Sequence, residues 1–529
     1  MMNELMDQAS RVDSRLVSAR TASIKATRAW QRVQIELKGE LSIQRLDSMR
    51  EYIRETNWQR VLLVFLVTPL PALIAITVID CSPLASPENG PIGNHVYWIR
   101  MVVVIFILGL GVLQHARCCI PQLPMSHLEW LVVSFIASHG SVPLSYCVSL
   151  LIGFPVPFSL VVNASIAYPI ALASLWLLWH KAVRANPQLK SNLYRQMLVL
   201  MGQVLMMFVF PLYFFVFKLL PPRGQPAFTL LIPIIKLGLK NYFNATLKDV
   251  DDIKPAFIVF NIDLFSALYV ANCLQASQSK TNLAIVMAVD VAQMALSMYE
   301  LRRMMKQIQS LVRLDKFDGS LLDLCVVVSG KPGVQAQFEQ RTSSFRPFWR
   351  VNTRIFAIST RQILPASPSV ATVQEALAAA DFKPVDAAAL MHKITKVLYM
   401  VEFYLLIEFA EVMIPIIYCI YMVVMSHLPN RAYYPQLATL TSEQMLQSIT
   451  TVILYAALEL LSLLVLLWLI HWQVQLPTPH LLAFALEKQR VIVHSSLVVW
   501  ILYIIQQSLQ HSGTDFSLRF EWLKQSKNL

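Results

Sequence analysis

A chain of 529 residues that is 56% hydrophobic and 14% charged, with a mean hydropathy of +0.52, is far more apolar than a soluble protein, in which about a quarter of residues are charged. The formal net charge of +12 does not point to nucleic acid, because the basic residues sit in loops between apolar runs, where membrane topology places them. Seven cysteines lack ligand or disulfide spacing, so no metal, cofactor or redox scaffold is expected.

Residues 1–60 are mixed in charge and helix-prone, and the first apolar run begins only at Val61, too far in for a cleavable signal peptide. They are expected to form a cytosolic helical segment, with Leu41, Leu46, Met49 and Ile53 at helical spacing. The first span, 61–79, carries Pro69 and Pro71, which predict a kink. The loop 80–95 contains no Lys or Arg, as an outside loop should, and Asp80 and Glu88 are expected to be solvated there. Arg100, near the outer end of the second span, is expected to snorkel to the interface. At that span's inner end Cys118 and Cys119 occupy a juxtamembrane position suited to palmitoylation. The third span holds His139 four residues before Pro143, which predicts a break beside a histidine bonded to a neighbouring helix. Spans four and five follow at about 156–179 and 197–220.

The run 227–239 is short and contains Pro233 and Lys236, so hydropathy alone leaves it re-entrant or spanning. Charge decides: segment 301–396 contains fourteen Lys or Arg against seven acids and belongs in the cytosol, which requires an even number of crossings before it. Residues 227–242 are therefore read as the sixth span, with their lysines snorkelling. Spans seven and eight follow, and the cytosolic insert carries the patch 321–329, the turn 330–333, proline linkers near 364–369 and a helical stretch at 371–381. Spans nine to eleven lie at 397–424, 450–472 and 491–509. The fold expected is an all-α polytopic membrane bundle of about eleven helices, within a range of 10–12. It divides into an N-terminal segment 1–60, bundles at 61–300 and 397–510 around the insert 301–396, and a tail 511–529.

The functional signal is acid in the hydrocarbon. Asp263, Asp290, Glu408, Glu411 and Glu459 fall near the middle of four consecutive spans, with no Lys or Arg at that depth in the same spans to pair with them. A charge there costs about 2.5–3.5 kcal/mol on insertion scales, which marks each as a candidate site. Glu408 and Glu411 share a helix face with Tyr404, and Pro415 withdraws the usual donor from the Glu411 carbonyl. Ser266, Gln293, Ser297, Tyr455 and Ser462 are supporting polar groups on the acids' faces. Glu402 lies nearer the cytosolic end and is expected to be solvated. Converging carboxylates repel one another and resist desolvation, so they bind protons or cations.

Residues 255–275 (PAFIVFNIDLFSALYVANCLQ), 402–421 (EFYLLIEFAEVMIPIIYCIY), 428–435 (LPNRAYYP) and 502–523 (LYIIQQSLQHSGTDFSLRFEWL) resemble a group of multi-pass membrane proteins abundant in oomycetes such as Phytophthora. The resemblance covers mostly the C-terminal half. It implies a polytopic membrane protein and carries no activity and no site residues.

Two functions follow from the residues. The first is a proton- or cation-coupled transporter or channel built on the five acids, with the bilayer and protons or small cations as partners. The second is a signalling receptor or scaffold whose insert 301–396 binds cytosolic protein or anionic lipid. No nucleophile elbow or zinc-binding pattern supports an enzyme.

Overall fold

The structure is a computed structural model, and it describes residues 31, 33–120, 123, 125–247, 250–277, 280–312, 321–329, 384–520 and 522. The chain is an all-α multi-pass membrane protein: among the described residues no strand occurs, and ten helices are long and apolar enough to cross a bilayer. Most of the insert, including 330–333, 364–369 and 371–381, lies outside the described residues.

Helix α1 (Ile43–Glu55) is capped by the Ser42 hydroxyl, which accepts from the Arg45 amide, and it buries Arg45, Leu46 and Met49. It is thus packed onto the bundle. The first crossing is split as its prolines predict, into α2 (Trp58–Val67) and α3 (Leu70–Asp80). Four long helices follow: α4 (His95–Cys119), α5 (His127–Ile152), α6 (Ser159–Ala185) and α7 (Pro187–Leu219). The expected break in α5 is absent. The helix runs unbroken through Pro143, and exposed His139 stacks on Phe135 with its Nδ1 against that residue's carbonyl at 3.0 Å, within its own helix. Neighbouring helices and serines accommodate prolines of this kind in membrane helices.

After α8 (Gln225–Thr229) comes α9 (Leu231–Thr246), whose 16 residues reach about 24 Å, short of a hydrocarbon core of about 30 Å. It nonetheless runs back along α7. Tyr213 near the end of α7 donates to the Phe228 carbonyl at 3.4 Å, whereas Tyr242 near the end of α9 donates to Leu198 at 2.7 Å. The seventh crossing is α10 (Lys254–Ile258), a π-helical turn (Val259–Asp263) and α11 (Leu264–Ser277). Then come α12 (Lys280–Val312), the short α13 (Leu321–Ser329), α14 (Pro384–Ser426), α15 (Ser442–Val474), α16 (Thr478–Lys488) and α17 (Arg490–Ser508).

One end of the bundle, here the N-face, gathers the N-terminal segment with the starts of α10 and α14 and with α16. There Ser42 bonds to Asp252, the Leu41 amide to the Thr395 carbonyl at 3.4 Å, and Tyr52 to Glu487 at 2.8 Å. The far face joins the loop after α3 to the stretch after α17, through His511 on the Ala85 carbonyl at 2.7 Å. Residues 33–57 and 509–513 therefore lie on opposite faces, which needs an odd number of traverses. Among the described residues α9 adds one traverse of the bundle to the ten candidate membrane spans.

Burial separates centre from periphery. The apolar window within Lys254–Gln275 is 100% buried and that within Ala387–Ser426 is 78% buried, against 11% for Ser159–Ala185. The seventh crossing and α14 form the axis, and α6 lines the lipid boundary.

Candidate functional site

The site is built where α9, the π-helical turn, α12, α14 and α15 meet. Lys236 and Lys240 are four residues apart on α9 and so share a face, and that face turns inward. Lys236 Nζ lies 2.9 Å from Asp263 Oδ1 and 3.0 Å from Glu411 Oε1. Lys240 Nζ lies 3.1 Å from Asp263 Oδ2 and 3.6 Å from Glu36 Oε1. The expected snorkelling of these lysines is thus corrected, and so is the expectation that the acids lack cationic partners. A helix shorter than the bilayer core places its lysines among the carboxylates of its neighbours, and Coulomb attraction at about 3 Å outweighs the reach to water.

The π-helical turn explains how Asp263 faces these lysines while Asn261, two residues earlier, faces another way. Widening the turn by one residue redirects the side chains, a common device at functional sites. Asn261 Nδ2 donates to the Phe257 carbonyl at 2.6 Å, and its Oδ1 accepts from Gln203 at 2.7 Å and from Trp500 Nε1 at 3.0 Å. Gln203 and Ser496 in turn hold the buried His115 ring, at 3.1 and 3.0 Å. Ser266 donates to the Asp263 carbonyl at 2.9 Å and so supports the backbone, leaving the carboxylate to the lysines.

Beside the lysines opens a cleft of about 210 Å³, lined by Glu36, Lys236, Lys240, Asp290, Glu408 and Glu411, with Gln293, Ser297 and Tyr404 on its walls. Ligand oxygens of Glu408, Glu411 and Glu459 lie within 4.8 Å of one another. Ser462 donates to Glu408 Oε2 at 2.8 Å, and Tyr455 lies beside the Glu459 carboxylate. Glu459 is 0% exposed, and its carboxyl group is hydrogen-bonded to Tyr455 and Asp290, with no ammonium or guanidinium group in contact among the described residues. All five acids are therefore brought together: Asp290, Glu408 and Glu411 on the cleft, Asp263 behind the lysines, and Glu459 at the deep end. Against these five carboxylates, with Glu36 and Glu300 on the same cleft, stand two ammonium groups among the described residues.

Two other polar clusters depart from the sequence expectations. Asp80 and Arg100, expected in water and at the interface, form an ion pair with both side chains almost fully buried. Tyr434 bridges them, 2.9 Å from Arg100 and 2.8 Å from Asp80 Oδ1, while Tyr421 donates to Asp80 Oδ2 at 3.2 Å and Gln506 accepts from Arg100 Nε at 3.0 Å. Glu88 is exposed as expected. Glu402 is buried, not solvated, and Arg45 clasps it through two bonds of 2.5 and 3.1 Å. Arg45 and Glu402 are distant in sequence, and the Asp80–Arg100 pair, though it joins consecutive crossings, is completed by Tyr421, Tyr434 and Gln506 from far along the chain. At the end of α4, Cys118 is buried and Cys119 half-buried.

No family model, curated protein or solved structure matches the chain. The geometry alone carries the functional reading.

Proposed function

We propose that the protein is a proton- or cation-coupled carrier or channel whose working groups are Asp290, Glu408, Glu411 and Glu459, with Lys236 as an internal counter-ion. The supporting observation is the charge imbalance: five clustered carboxylates, with Glu36 and Glu300 on the same cleft, stand beside only two ammonium groups among the described residues, neither of them on Glu459. An uncompensated buried carboxylate costs several kcal/mol, so the cluster is at rest only when it holds protons or a cation. The oxygen-rich donor set of Glu408, Glu411 and Glu459 suits a hard cation as well as a proton. Lys236 bridges Asp263 and Glu411, so its ammonium competes with an incoming cation for Glu411 and couples occupancy of the cleft to the position of α9.

In this reading the N-face is cytosolic. Arg302, Arg303, Lys306 and Lys393 cluster at the N-face ends of α12 and α14, while the far-face stretch 81–94 has no Lys or Arg. The test is flux in proteoliposomes under imposed pH and cation gradients. Glu408→Gln and Asp290→Asn are each expected to reduce a pH- or cation-dependent flux at least about tenfold while the protein remains folded. Flux unchanged in both variants would overturn the reading.

A further inference from the structure

The cleft lies between α9 and α12, with α14 behind it and residues 34–37 over one end. Toward the far face it meets an apolar plug in which Tyr213, Phe217, Ile232, Leu274, Val286 and Tyr455 pack together. Toward the N-face it is roofed by the turn around residues 33–38. That turn is tied to α9, through the Val33 carbonyl to Asn241 at 2.8 Å and Lys38 to Asn241 at 3.0 Å, while Gln31 just before it bonds to Glu300 of α12 at 3.0 Å. Helices α9 and α12 line opposite walls without packing on each other along their length. Their rims at this gap are apolar and outward-facing: Ile234 is 65% exposed and Leu296 45% exposed, yet both also line the cleft. The opening thus leads into the hydrocarbon, at the level where α9 is too short to fill the bilayer.

A portal of that kind selects its ligand by two requirements. The ligand must carry positive charge to meet the carboxylates inside, and it must be soluble in hydrocarbon to reach the gap. Inorganic cations fail the second requirement, because crossing lipid strips their hydration. An ammonium group on an apolar chain meets both, since each methylene left in an apolar setting favours that arrangement.

Resting on the cation-coupled reading above, we propose that the cleft binds an amphipathic organic cation, an amine bearing an apolar chain, which enters sideways from the bilayer between α9 and α12. Ile234 and Leu296 hold the chain, and Asp290 and Glu408 receive the ammonium group, with the Tyr404 ring beside them. The Glu459 carboxylate, which no ammonium group contacts among the described residues, lies against Glu408 and Glu411 and draws the charge to the deep end.

The experiment uses the full chain in phosphatidylcholine nanodiscs and measures displacement of a dansylated alkylamine by octylammonium and by methylammonium. Octylammonium is expected to compete at least about tenfold more strongly. Ile234→Trp and Leu296→Trp, which narrow the portal without touching an acid, are expected to weaken octylammonium about tenfold relative to methylammonium. Methylammonium competing as well as octylammonium, or tryptophan variants that bind octylammonium like the unaltered protein, would overturn lateral entry and leave the cation-coupled reading standing. Loss of that broader reading would show instead as flux surviving Glu408→Gln and Asp290→Asn. Nanodiscs containing phosphatidylethanolamine separate the two sources of such a ligand: displacement of the probe assigns a lipid headgroup amine, and unchanged probe binding assigns a free amphiphilic amine.

Discussion

The Asp80–Arg100 pair near the far face and the acid cleft use the same chemistry to opposite ends. At the pair, each Asp80 oxygen and Arg100 Nε find aligned partners in Tyr434, Tyr421 and Gln506, and one carboxylate meets one guanidinium. In the cleft, Lys236 and Lys240 pair with Asp263, Glu411 and Glu36, while Asp290, Glu408 and Glu459 have no ion pair among the described residues. A charge-balanced buried pair fixes structure even though Arg100 Nη1 lacks a hydrogen-bond partner, whereas an undercompensated cluster needs something from outside. Burial alone therefore does not separate the two; under the proposed reading, the charge balance does.

The comparison breaks most sharply at the pair. Arg100→Met leaves Asp80 buried and unpaired and is expected to cost about 3–5 kcal/mol, read as a large fall in Tm in detergent, with partial recovery in the Asp80→Asn, Arg100→Met double variant. A fall in Tm of a degree or less would mean that water reaches Asp80. In the cleft the expected effect moves from stability to transport. Lys236→Met removes the ammonium that competes for Glu411, so the cation concentration giving half-maximal flux should drop about tenfold in a flux titration. An unchanged or higher value would deny Lys236 that role. The smallest effect is at the far-face seam, where burial holds the His511 imidazole down to about 4, from an ordinary 6.5. The folded chain then keeps His511 neutral while the unfolded chain protonates it. Its contribution is intact above pH 6.5 and is lost as pH falls from there toward 4. His511→Asn should flatten that part of the Tm–pH curve, and a variant curve parallel to the unaltered protein's would contradict the assignment.

Most of the architecture was legible because bilayer thickness dictates run length: the helices fall where the apolar runs do, and the split at Pro69 follows from proline's missing donor. The convergence of Asp290, Glu408, Glu411 and Glu459 was legible for a related reason, since carboxylates at one depth on consecutive helices have few places to go except toward each other. What stayed hidden was pairing across long sequence distances. Nothing near Glu402 announces Arg45, and nothing near Arg100 announces Tyr434, because such contacts depend on how helices pack rather than on spacing along one of them. The lysines of α9 did carry a signal. Two lysines at i and i+4 in a run too short to reach both interfaces must either distort the membrane or face inward, and the acids next door made the second the lower-energy choice.

The most direct test of the contrast is Glu459→Gln, set beside Arg100→Met, with Tm and gradient-driven flux measured on the same preparations. Removing a buried carboxylate that has no cationic partner among the described residues, and replacing it with an amide that can still bond Tyr455, is expected to leave Tm unchanged or raised and to abolish flux, while Arg100→Met lowers Tm severely. If Glu459→Gln unfolds as readily as Arg100→Met, or transports like the unaltered protein, the carboxylate cluster is structural and the claim fails.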